Sequence, residues 1–70
     1  MSELARRVRQ RRAELGMSQE ELAARMGYRS KSSITKLEKG VNDLPQSKLE
    51  ELAAALDTTP GWLLGLAPSR

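Results

Sequence analysis

The chain has no cysteine, no histidine and no phenylalanine, and its 70 residues hold one tryptophan and one tyrosine. Without cysteine there is neither a disulfide nor a thiolate metal site to brace a small fold. Without histidine the commonest zinc ligand and the commonest general base are missing. No Gly-rich phosphate loop and no inward pair of carboxylates is present either, so an enzyme is not expected and no cofactor or metal is implied. No apolar run approaches the roughly 18–20 residues that span a bilayer. Arg6 to Arg12 is charged where a signal peptide would be apolar, which makes the cytoplasm the expected compartment.

What is present is leucine, alanine and charge. The length allows one small domain, whose stability has to come from packed helices, with or without a partner subunit. The net charge is +3 and the pI about 9.8, a balance suited to a polyanionic partner.

The stretch from Gly16 to Gly40, GMSQEELAARMGYRSKSSITKLEKG, organises the rest. Ser18 is an N-cap with Glu21 three residues on, as a capping box requires, and Met17 and Leu22 fit the flanking hydrophobic staple. Leu22, Ala23 and Met26 make one apolar face, and Gly27 stands where a left-handed residue ends a helix. A second helix starts near Ser30 and stops at Gly40, with Ile34 and Leu37 inward. Its other face carries Ser32, Thr35, Lys36 and Lys39. So short a helix is not stable alone.

Helix 1 is expected over about residues 3–15, with Ser2 as cap and Leu4, Val8 and Leu15 on one face. Arg12 falls inside that apolar stripe and needs a partner. Glu38, next to Leu37, is the acidic residue on a core-side position, so a bidentate Arg12–Glu38 pair is expected, with snorkelling to solvent as the alternative. Arg6, Arg7, Arg9 and Arg11 point in several directions. Asp43 reads as the cap of helix 4, with Gln46 completing its box. Leu49, Leu52, Ala53 and Leu56 form the inward face of that helix. Thr59-Pro60 is a cap followed by an N1 proline.

Ser18-Gln19-Glu20-Glu21-Leu22-Ala23, Gly27, Ile34, Leu37-Glu38-Lys39-Gly40, Leu44-Pro45, Leu49–Leu56 and Trp62-Leu63-Leu64 together resemble the helix-turn-helix of the phage repressor and Cro family, the lambda-repressor-like fold. The resemblance covers nearly the whole chain. It implies a compact all-α five-helix domain over residues 1–66, with helices at about 3–15, 18–26, 31–39, 46–56 and 60–65. Residues 67–70 would be a tail or the start of a linker. It also implies the Arg12–Glu38 pair.

The same resemblance implies a sequence-specific, double-stranded DNA-binding transcriptional regulator. A repressor is expected, binding a palindromic operator as a homodimer, at least on DNA, with helix 3 in the major groove. The alternative is a protein-interaction module of the same fold, such as an antitoxin or a restriction-modification controller. The outer face of helix 3 separates the two readings: lysine and serine favour DNA. No membrane and no small-molecule substrate is implied.

Counting from Ile34 as inward, Ser32 and Lys36 point most directly outward, flanked by Lys31 and Thr35. These four are the expected base contacts, with Lys31 or Lys36 reading a G·C pair. Phosphates are expected at Gln19, Tyr28, Arg29, Lys39 and Asn42, and at a flanking Arg9 or Arg11. Gln19 would also brace the residue opening helix 3. The best-known members of the family have one residue fewer between Gly27 and Ile34, so either Ser30 or Lys31 could be that residue. Tyr28 would meet the backbone or cover the core edge. Pro60, Trp62, Leu63 and Leu66 are the expected dimer contact, with Trp62 at the edge of the core first.

Overall fold

The computed structural model describes residues 2–40 and 44–66. They form α1 (Glu3–Glu14), α2 (Gln19–Arg25), α3 (Ser32–Glu38), α4 (Gln46–Ala55) and α5 (Pro60–Leu63). No strand occurs among the described residues, and the fold is all-α. α1 packs on α3 and α5, α2 packs on α3, and α4 packs on α5.

Local chemistry starts most of these helices. Ser2 Oγ accepts the Ala5 N–H at 3.1 Å. Ser18 and Glu21 close a reciprocal capping box, which satisfies two backbone donors that a helix start leaves without partners. Thr59 Oγ1 accepts the Trp62 N–H, with Pro60 in the first helical position. α4 differs from expectation. Pro45 occupies its N-cap and no side chain caps it. Gln46 donates to Glu50 instead, at 3.4 Å. Asp43 lies outside the described residues.

The helices stop in a common way. At the end of α2, the Gly27 N–H reaches the Ala24 carbonyl and the Tyr28 N–H reaches back to Ala23. Gly27 sits at φ 77° to allow this, the left-handed conformation of a Schellman motif. α4 ends with the same pair of bonds, from Asp57 to Ala54 and from Thr58 to Ala53. There the left-handed position belongs to Asp57, at φ 53°.

One apolar cluster joins all five helices. Val8, Leu22, Ile34, Leu52, Leu56 and Leu63 are its largest fully buried side chains. Each such burial is worth about 1.5–3 kcal/mol. Two expectations need correcting. Leu15 is 39% exposed, because it is the C-cap of α1 and lies past the turn that faces the core; the fully buried Ala5 takes its place in the stripe. Leu63 is completely buried and has no surface left for a second subunit, whereas Trp62, 4% exposed, joins the core, the first of its two readings.

Most of the α1 arginines are used within the chain. Arg6 and Arg7 both bond to Glu3, and those two bonds pull its carboxyl pKa down to about 2. The Arg7 guanidinium also stacks over the Trp62 ring, 4.9 Å from its centroid. Arg11 turns to the end of α4. Its Nε donates to the Leu56 carbonyl at 2.8 Å and its Nη2 to that of Asp57 at 3.2 Å. It therefore tethers α1 to α4 and is spent as a phosphate contact.

Candidate nucleic-acid interface

The site is built on α2, the turn after it, and α3. Ile34, Leu37 and Glu38 face inward from α3. Lys31, Ser32, Lys36 and Lys39 are exposed on its other side. With Ser30 and Thr35 they line an open groove of about 390 Å³. No carboxylate among the described residues is within ion-pair distance of Lys31, Lys36 or Lys39. The groove is therefore cationic and lined by hydroxyls.

A hydrogen-bonded network behind this face holds α3 in place. Arg12 Nε donates to Glu38 Oε2 at 2.7 Å and Arg12 Nη2 to Glu38 Oε1 at 3.1 Å. Arg12 Nη1 donates to the Met17 carbonyl at 2.9 Å, where the chain enters α2. Glu38 is only 5% exposed, so its charge needs this pairing. The carboxylate in turn raises the guanidinium pKa above its ordinary value, against the opposing effect of burial.

Gln19 extends the network. Its Nε2 donates to Glu38 Oε1 at 3.1 Å, and its Oε1 accepts from the Thr35 hydroxyl at 3.0 Å. The carboxylate only accepts hydrogen bonds, which fixes the amide this way round. Gln19 thus braces Thr35, in the second turn of α3, and not Ser30 or Lys31 at its opening. Thr35 is one turn beyond Lys31 and on the same stripe, so its hydroxyl also lies 3.2 Å from the Lys31 carbonyl. Half-buried and internally bonded, Thr35 has no free hydroxyl proton for a base.

The remaining expected site residues divide. Lys31 is the N-cap of α3 without a side-chain cap bond, and Ser30 and Ser32 share an Oγ–Oγ hydrogen bond of 2.8 Å on the exposed turn. Arg29 is exposed on that turn. The Tyr28 ring packs against the core cluster, and Lys48 Nζ stands 5.6 Å from its centroid. Tyr28 therefore covers the core edge, the second of its two readings. Pro60 is half-buried, whereas Leu66 is 79% exposed. Asn42 lies outside the described residues. Arg9, one of two α1 arginines left open by the sequence, is exposed. It lines a second cleft, of about 380 Å³, with Gln19, Thr35, Glu38 and Lys39.

Among the described residues no group of three or more His, Cys, Asp or Glu side chains could hold a metal ion. No helix there is long and apolar enough to cross a membrane.

Two short helices locked at a tight turn, the second offering an exposed cationic face, define a helix-turn-helix protein. The family described as "Helix-turn-helix" matches residues 8–63, and the chain belongs to it, in its lambda-repressor-like form. The chain is similar to a hypothetical transcription factor, NHTF from Neisseria, at 33% identity and a TM-score of 0.83, over 90% of this chain and 71% of that one. It is also similar to the DNA-binding domain of the P22 C2 repressor, at 28% identity and a TM-score of 0.82, over 96% and 90% of the two chains. A chain of the SinR–SinI complex matches at 34% identity and a TM-score of 0.75, over 87% of this chain and 59% of its own length. The protein is a DNA-binding transcription regulator, of a family that is in general not enzymatic.

Proposed function

We propose that the chain is the operator-binding unit of a repressor, which acts by occupying duplex DNA in a sequence-specific way. α3 enters the major groove. Lys31, Ser32 and Lys36 meet base edges, and Arg29 and Lys39 meet phosphates. Thr35 borders the bases while its hydroxyl serves the brace. As a two-fold dimer, two copies of α3 would lie in successive major grooves about 34 Å apart on a roughly palindromic site. The apolar surface left for that dimer includes the exposed Leu64 and Leu66, with the half-buried Pro60 at the start of α5; Trp62 and Leu63 support it from the core.

The observation that carries this reading is the exposure of Ser32 and Lys36 on a helix whose inner face is buried and bonded in place. Likeness to the P22 C2 repressor domain supports the repressor role. An apolar or acidic outer face on α3 would favour a protein-interaction module; its lysines and serine favour DNA.

Selection of bound duplexes from a randomised pool tests the reading. The wild-type chain is expected to enrich a symmetric site. Lys36→Ala is expected to relax one position per half-site, at a cost of about 1–3 kcal/mol. Unchanged base preference in the variant would contradict the assigned role.

A further inference from the structure

Every other arginine of α1 has a partner within the chain: Arg6 and Arg7 on Glu3, Arg11 on Glu14 and two carbonyls, Arg12 on Glu38. Arg9 has none among the described residues. It stands on the wall of the cleft that also holds Gln19, Thr35, Glu38 and Lys39. Lys39 is the C-cap of α3 and lines both this cleft and the groove of Lys31 and Lys36. The two depressions therefore adjoin at Lys39.

The charge in the cleft is unbalanced. Glu38 is its acidic wall, yet both carboxylate oxygens are occupied, Oε2 by Arg12 and Oε1 by Arg12 and Gln19. Its charge is matched by the Arg12 guanidinium behind it. Arg9 and Lys39 thus face the opening as two cations with no carboxylate of their own. Like charges held around one cleft repel unless an anion joins them. A guanidinium with all five donors available offers the fork that suits a phosphate, and the ammonium adds a point charge beside it.

We infer that Arg9 and Lys39 form a phosphodiester clamp between α1 and α3, holding one DNA backbone phosphate at the edge of the groove that α3 enters. This rests on the proposed reading of α3 and adds to it a contact from a helix outside the helix-turn-helix. The clamp fixes how deeply and at what angle α3 sits, and carries no sequence information itself.

The test uses the full chain, the duplex recovered by selection, and a mixed-sequence duplex, with affinity measured by fluorescence anisotropy across a salt series. Arg9→Ala is expected to weaken binding to both duplexes by the same factor and to lower the slope of log affinity against log salt by about one ion per half-site, two for the dimer. Equivalently, the advantage of wild type over the variant shrinks by roughly 12-fold between about 50 and 200 mM salt. Replacing single phosphates of the selected duplex by neutral methylphosphonates is expected to reveal one position per half-site that weakens wild type and Lys36→Ala equally but Arg9→Ala less, since only Lys39 is left there to lose its phosphate. Arg9→Lys is expected to keep the slope and recover only part of the affinity, since an ammonium lacks the fork.

An unchanged salt slope in Arg9→Ala overturns the clamp. If Lys36→Ala still alters base preference in that case, the reading of α3 stands and the clamp alone has failed. A wild-type chain that binds neither duplex overturns both. Arg9 is exposed and unpaired among the described residues, so Arg9→Ala should melt with wild type, which separates a lost contact from lost folding.

Discussion

Glu38 is the residue on which the pose of α3 turns. A carboxylate this buried has lost most of its hydration, and the two hydrogen bonds from Arg12 replace it. Truncating the arginine strands the charge with the Gln19 amide alone. Arg12→Ala is expected to lower unfolding stability by about 3 kcal/mol, read as a shift in denaturant midpoint. The double replacement Arg12→Met with Glu38→Leu should recover most of that loss. A midpoint equal to wild type in Arg12→Ala would show that the pair carries no stability. This pair was legible in the sequence because a cation inside an apolar stripe demands an explanation. Arg11 was not legible in the same way. Its acceptors are backbone carbonyls 45 and 46 residues away, and every residue has a carbonyl, so nothing in the sequence marks the ones that are used. The bond of the Thr35 hydroxyl was not legible for a related reason. Helical angle places it on the flank of the outer face, but only the crossing of α2 and α3 determines that Gln19 reaches it before a base can.

At the scale of the helix, starts were easier to read than packing. Ser2, Ser18 and Thr59-Pro60 declare their helices through side-chain chemistry confined to one turn. Leu15 shows the limit of periodicity: it is an apolar residue just past the end of its helix. The end of α4 carries a conflict that local rules predict should be costly. Asp57 holds φ 53° in a position that the equivalent turn of α2 gives to Gly27. L-residues resist that conformation. Arg11 bonds the Asp57 carbonyl, not its carboxylate, which is 93% exposed and 4.0 Å from the guanidinium. Asp57→Gly should therefore keep the tether and raise stability by about 0.5–1 kcal/mol, measured by thermal and denaturant melts. Destabilisation would mean that the aspartate side chain contributes something beyond its backbone shape. The converse substitution, Gly27→Asp, should destabilise although nothing lies within 4 Å of the added Cβ.

For the molecule as a whole, the arrangement of charge says more than its total. Glu3, Glu14, Glu38 and Glu51 each pair with a basic residue of the chain. The basic residues left without an ion pair among the described residues are Arg9, Arg25, Arg29, Lys31, Lys36 and Lys39, and four of these six line the two adjoining depressions beside α3. A modest net charge of +3 is thereby concentrated on one side, the footprint expected of a surface that meets a polyanion. The core and the buried network hold that side in a single orientation, which sequence-specific reading requires. The most direct measurement is methylation interference on the selected duplex, because guanine N7 lies in the major groove. The account predicts that methylated guanines block binding in two patches about one helical turn apart, and that Lys36→Ala loses sensitivity at one guanine in each. Interference confined to minor-groove adenine N3, or none at all on a duplex the protein binds, would contradict it.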